Sequence, residues 1–177
     1  MTTVPSSNHP RLILIFSSLI LGAILGFTVY MTLFNVKKNR GALIVQEVAQ
    51  LSEIFQKIHK TAVIKSFDHA RSPINFLNVK SFAGSEVGPL NLLYPDKWQG
   101  PYLPDNLTIQ TKEYELVRTK NGYYIVPGEG VTLPNGKVVG KDITFDENTD
   151  FVALVQKDGD LNFEGRPMAA LIDLAQE

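Results

Sequence analysis

Six carboxylates crowd one stretch near the C-terminus: Asp142, Asp146, Glu147, Asp150, Asp158 and Asp160. Oxygen donors gathered in a loop are what calcium takes, about 6–8 of them per ion. Calcium is therefore the one cofactor with candidate ligands, at Asp142, Asp146, Asp150, Asp158 and Asp160. Their spacing departs from the twelve-residue loop of an EF-hand. Asp and Asn at turns also bond their own backbone, and the spacing favours that role. The histidines offer less. His59 and His69 are ten apart, which on a helix points them in different directions, and His9 is expected in an N-terminal tail. The chain has no cysteine, which excludes disulfides, thiolate metal sites, iron–sulfur clusters and cysteine nucleophiles. It has no G-x-S-x-G, Walker loop, H-E-x-x-H or dinucleotide fingerprint. The expectation is a protein that is not an enzyme. Trp98, Tyr94, Tyr102, Tyr123 and Tyr124 are the aromatic groups with binding potential. A lone Trp reads first as core. The alternative is a binding module whose loop from Tyr94 to Tyr102 recognises a peptide, glycan or envelope protein.

The composition narrows the classes further. The chain has 177 residues, 44% of them apolar, and 17 basic against 18 acidic groups. So apolar a chain is not wholly disordered, and so balanced a charge does not suit a nucleic-acid partner. The apolar excess gathers near the N-terminus. Residues 12–34, LILIFSSLILGAILGFTVYMTLF, carry no charge, and a bilayer core needs about 20 such residues. Ser17, Ser18, Thr28 and Thr32 can bond back to the preceding turn. A cleaved signal would have an apolar core of about 7–15 residues and an A-x-A-like site. Here the stretch runs straight into Asn35-Val36-Lys37-Lys38-Asn39-Arg40, so a retained anchor is expected. Gly22 and Gly26 have G-x-x-x-G spacing, which is frequent in membrane helices with or without a packing role. Lys37, Lys38 and Arg40 follow the span and Arg11 precedes it, a bias that places the C-terminal side in the cytoplasm.

Beyond the span, Ile44, Val48, Leu51, Phe55, Ile58 and Ala62 step by four, three, four, three and four, one stripe of a helix. The stripe has two uses on spacing alone: covering the sheet of its own domain, or lateral assembly with other copies. No proline interrupts residues 11–72, so a single helix is expected through the membrane and up to 72, with Gly41 as a place to kink. Residues 73–103 hold four prolines and three glycines and read as an irregular excursion. Hairpins are then expected around Asn121-Gly122, Pro134-Asn135-Gly136 and Lys157-Asp158-Gly159-Asp160, the last between strands at 151–156 and 161–163. A short helix is expected over 168–175. The division is a tail at 1–11, a membrane helix at 12–34, an amphipathic helix at 35–72 and a loop-and-sheet domain at 73–177. The fold class is α+β, a transmembrane helix continuing into a long amphipathic helix packed on an antiparallel sheet.

This layout resembles type IV pilins and type II secretion pseudopilins. The most specific stretch is Trp98-Gln99-Gly100-Pro101-Tyr102-Leu103, similar to a run in the major pseudopilin between its loop and its sheet. The likeness covers most of the chain by layout and six residues by motif, with Trp98, Gly100, Pro101, Tyr102 and Leu103 carrying it. It implies a single-pass protein of the bacterial inner membrane with a periplasmic C-terminal domain. It also implies assembly with other pseudopilin-like subunits or secretion platform proteins, and a calcium loop near the C-terminus. Gly26-Phe27-Thr28 is similar to a prepilin processing site, but the fifth position after Gly26 is Met31 where the family has glutamate. Only 27–34 would remain uncharged after cleavage, too few to span. The expected form is therefore an uncleaved, pseudopilin-like protein.

Overall fold

The computed structural model describes residues 9–174, in two units divided between Lys38 and Asn39. One helix, α1, runs from His9 to Ala62. It opens with Pro10 in its first turn, where the missing N–H is not needed. His9 is thus helical, and the part of the expected tail at 1–8 lies outside the described residues.

In the first unit, the described side chains from 18 to 33 are all exposed. The Thr28 hydroxyl donates to the Ile24 carbonyl at 2.8 Å and that of Thr32 to the Thr28 carbonyl at 2.9 Å, so these polar groups are bonded within the helix. The helix from Ser18 onward, with mean hydropathy 1.9 in its most apolar window, is long and apolar enough to cross a membrane.

In the second unit the same helix becomes the spine of a domain. Ile44, Val48, Leu51, Phe55, Ile58 and Ala62 are all buried. The helix runs through Gly41 without a break, and a Cβ there would run into the Phe163 ring.

The other elements are β1 (Ile64–Phe67), β2 (Arg71–Pro73), β3 (Glu86–Val87), β4 (Leu90–Leu92), β5 (Thr108–Ile109), β6 (Lys112–Thr119), β7 (Gly122–Pro127), α2 (Phe151–Val155), β8 (Asn162–Phe163), β9 (Arg166–Pro167) and β10 (Ala170–Ile172). The main antiparallel sheet has the order β10-β7-β6-β2, with β5 paired to β6. A smaller sheet has the order β1-β4-β3, and β8 and β9 form a hairpin. Tyr114, Leu116 and Ile125 turn to the α1 side of the main sheet, Leu116 opposite Ile125. On the other face Tyr124 stacks on Phe151 at 4.4 Å, and Phe145 packs beside Phe151. The domain is α+β and antiparallel.

Four expectations change. The helix stops at Ala62 rather than 72. Val63 turns to φ 53° and its N–H reaches the His59 carbonyl at 3.0 Å. The Ile64 N–H donates to His59 Nδ1 at 3.2 Å. The carbonyls of Ala62 and Val63, at and just past the helix end, accept from the N–H groups of Tyr94 and Leu93, each at 2.9 Å. A helix end needs such partners, and here they come from distant residues rather than a local glycine. Second, 73–103 is not wholly irregular, since it holds β3, β4 and a 3-10 turn at Pro95–Lys97. Third, 151–156 is helical, because Asp150 accepts from the Ala153 N–H at 3.1 Å and caps it. Fourth, 168–175 holds strand β10, not a helix; positions 175–177 lie outside the described residues. Of the hairpins, the one at Asn121-Gly122 forms between β6 and β7, while the Pro134-Asn135-Gly136 turn carries a single bridge, Thr132 to Val138.

The two-residue turn between β5 and β6 puts Gln110 at φ 53° and Thr111 at φ 64°. A β-branched residue in the left-handed region is costly. The Gln110 amide holds the turn in place: its Nε2 donates to the Thr132 carbonyl at 2.9 Å, and its Oε1 accepts the Thr132 N–H at 3.2 Å. Thr111→Gly should therefore stabilise the domain by about 1 kcal/mol. A rise of a few degrees in the melting temperature is expected; a fall would mean that the Thr111 side chain contributes more than its backbone costs.

Candidate functional surfaces

The acidic residues near the C-terminus do not converge. Asp142 accepts the Val138 N–H at 2.8 Å, and Asp146 accepts the Asn148 N–H at 2.8 Å. Asp150 caps α2. Asp160 takes Lys137 Nζ at 2.7 Å and Asn135 Nδ2 at 3.1 Å. Asp158 is exposed in the turn after α2. Among the described residues, no group of three His, Cys, Asp or Glu is placed to hold a metal ion. The five candidate calcium ligands are thus spread over separate turns, and four of them have local partners. Asp142, Asp146 and Asp150 bond nearby backbone N–H groups, as Asp commonly does at turns and caps.

The Trp98 to Leu103 run forms a compact corner. The Trp98 indole N–H donates to the Val79 carbonyl at 3.0 Å. Its ring meets Phe82 edge-on at 5.5 Å and Tyr102 at 4.8 Å. The Tyr102 and Leu103 N–H groups both donate to the Leu77 carbonyl, at 2.8 and 3.2 Å. Gly100 is required there, because a Cβ would collide with the Val79 carbonyl and the Trp98 indole. The Gly100–Pro101 bond is cis, and Leu103 is buried. Lys57 of α1 lies 5.7 Å from the Tyr102 ring centroid. The corner therefore ties residues 77–82 to the aromatic loop. Trp98 is only half-buried, so its ring has a free side as well as a packed one. Trp98→Ala should cost about 2 kcal/mol, read as a lower denaturation midpoint. Unchanged stability would show that the indole is free for a partner.

Of the other aromatics, Tyr124 is core and Tyr123 packs on Phe67 at 4.1 Å, while Tyr94 is exposed beneath Lys97. His59 serves the helix end, and His69 is exposed. The six stripe residues spend their surface inside their own domain. Ile44, Val48, Leu51, Phe55, Ile58 and Ala62 are thus core here, the first of the two uses that their spacing allows.

One polar pair escapes the sequence reading. Glu47, which the helical spacing puts among the polar positions, accepts a 2.6 Å hydrogen bond from the Tyr114 hydroxyl. The signal is its position three after Ile44 and four before Leu51, at the border of the apolar stripe. Burial raises the Glu47 carboxyl above its ordinary 4.5, and the Tyr114 bond offsets part of that rise. Burial, with Glu47 beside it, pushes the Tyr114 phenol far up. A carboxyl raised in the folded state is protonated more readily there than in the unfolded chain. Its contribution to stability is therefore greatest in acid and falls as pH rises from 4.5 through the folded value. Glu47→Gln keeps an acceptor for Tyr114 without the charge. Its stability should match the wild type in acid and exceed it increasingly toward neutrality, as measured by urea unfolding against pH. A wild-type advantage that grew with pH would reverse this assignment.

A second network joins the sheet to the following loop. Arg71 Nε pairs with Glu115 Oε2, and Arg71 Nη2 lies 3.7 Å from Glu129 Oε2. Glu115 Oε1 also accepts the Glu129 N–H at 3.1 Å. The Arg71 side chain is about a third exposed, so the pair positions the loop more than it stabilises it.

No protein-family model, curated protein or solved structure matches this chain.

Proposed function

We propose that this chain is a non-enzymatic, membrane-anchored structural protein, a pseudopilin-like component of a bacterial secretion or pilus apparatus. The observation that carries the proposal is α1. Its first half holds an apolar stretch long enough to span a bilayer, exposed over 18–33, and its second half is the buried spine of an antiparallel domain. An anchor fused to a domain core in one helix suits a protein whose work is assembly rather than turnover. The Trp98 to Leu103 corner, similar to the major pseudopilin run, supports the same reading. In this proposal the chain sits in the inner membrane, uncleaved, with residues 39–177 in the periplasm. Lateral contacts fall to the exposed apolar residues of the membrane half, because the stripe from Ile44 to Ala62 is occupied.

The test combines topology with processing. A periplasm-active reporter is fused after Glu177, and the intact mass of the membrane-extracted chain is measured. Reporter activity together with the unprocessed mass is the expected result. A cytoplasmic C-terminus, in line with Lys37, Lys38 and Arg40, would remove the pilus reading. A mass cut after Gly26 would make the chain a processed subunit and overturn the uncleaved form.

A further inference from the structure

Beside the core stripe of α1 runs a second one, Val45, Ala49 and Ser52, at positions i, i+4 and i+7. Ala49 is exposed and the other two are half-buried. Between this stripe and the chain entering β10 lies an open, mostly apolar groove of about 360 Å3. Val45, Ala49 and Ser52 form one wall, and Arg166, Ala169 and Ala170 the other.

Strand β10 is the edge of the main sheet on this side. Its backbone directions follow from the register. Thr119 and Gly122 close the β6–β7 hairpin around a two-residue turn, so they are a hydrogen-bonded pair. Alternate residues of β7 then address opposite neighbours: Tyr124 and Val126 address β6, Tyr123 and Ile125 address β10. The Arg118 N–H bonded to Ala70 and the Tyr114 carbonyl bonded to Ile74 agree with this alternation. On β10, Ala170 and Ile172 are therefore the residues bonded to β7. The N–H and C=O of Leu171 point out of the sheet, over the open edge.

Arg166 is exposed, lines the groove, and makes no ion pair among the described residues. It is the one charged side chain in the lining.

We propose that this groove binds an extended acidic peptide segment of a partner protein, which adds to β10 as a further strand. Its main chain pairs with Leu171. Its small apolar side chains face Val45 and Ala49, and a carboxylate lies beside Arg166. Main-chain pairing at an edge supplies affinity in such complexes, and side-chain pockets supply selectivity. A helix has no spare backbone groups for the outward N–H and C=O of Leu171, whereas a strand about 4.8 Å from β10 pairs with them. The inference rests on the C-terminal unit and stands independently of the pilus reading.

The test uses the full chain in detergent micelles with fluorescein-labelled, terminally blocked heptapeptides. These alternate threonine and valine and carry either one aspartate or one asparagine at the end. Fluorescence anisotropy should show saturable binding of the aspartate peptide at or below about 1 mM. Leu171→Pro removes an N–H that no ladder bond uses, so the fold is retained, and affinity should drop about tenfold. Ala49→Trp fills the groove from the helix side and should abolish binding, a second check if Leu171→Pro lowers the melting temperature. Arg166→Gln should remove the preference for aspartate over asparagine. Absence of saturable binding by the wild type, or equal binding by Leu171→Pro and Ala49→Trp, would overturn the proposal. Self-association of the wild type that Leu171→Pro abolishes would overturn it in favour of a second copy as the strand donor.

Discussion

Phe55→Asp unfolds the C-terminal domain. Phe55 is fully buried and packs its ring against Phe67 at 6.5 Å and Phe76 at 6.2 Å, joining α1 to β1 and to the loop after β2. Truncating such a ring costs about 3–5 kcal/mol, and a carboxylate left without a partner in the cavity adds to that. Domains are stable by only about 5–15 kcal/mol. The expected readout is loss of the cooperative thermal transition and of near-ultraviolet signal from Trp98. Leu51→Asp, also buried, should behave alike. Gln56→Asp is the control, on an exposed position one residue along, and should unfold as the wild type does. If Phe55→Asp kept a wild-type transition and lost only self-association, the stripe would be an assembly face after all, and its burial in this domain would have to open in the assembled form.

The second large effect concerns the anchor. Ile24 and Leu25 are exposed near the middle of the apolar stretch. An arginine at the centre of a spanning helix costs about 2.5–3.5 kcal/mol on insertion scales. Ile24→Arg with Leu25→Arg should therefore disfavour insertion by about 5–7 kcal/mol, roughly four to five powers of ten in partition. The variant should move from the membrane pellet to the soluble or aggregated fraction after alkaline extraction. Ile24→Leu with Leu25→Ile should stay in the pellet. Retention of the double arginine variant would show that the stretch does not span, and that another contact holds the chain at the membrane.

The two predictions draw on features of unequal visibility in the sequence. The uncharged run and the stripe from Ile44 to Ala62 are both local, and each is a period in one helix. The β6–β7 hairpin was equally local, since Asn121-Gly122 sits between alternating strands. The stop at Ala62 was not. Val63-Ile64 contains neither glycine nor proline, and the helix ends because His59, Leu93 and Tyr94 bond the groups that continuation would have used. Strand β10 was illegible for a related reason. Its alternation is three residues long, and pairing with β7 makes it a strand. The partners of the candidate calcium set were not legible either: Asp142, Asp146 and Asp150 each accept from a different backbone N–H, and Asp160 from the side chains of Lys137 and Asn135.

The sequence by itself determined the α+β class, the membrane-length apolar helix, the identity of the helical core face and the central hairpin. Each depends on contacts within a few residues, where periodicity and turn chemistry act directly. Only the tertiary structure decided how that core face is used, where α1 ends, that Glu47 meets Tyr114, and that an unfilled groove lies beside β10. These depend on which distant segments meet. Glu47 and Tyr114 are 67 positions apart, and no local pattern records such a pairing, because its free energy is settled by burial and partner geometry after the chain has folded.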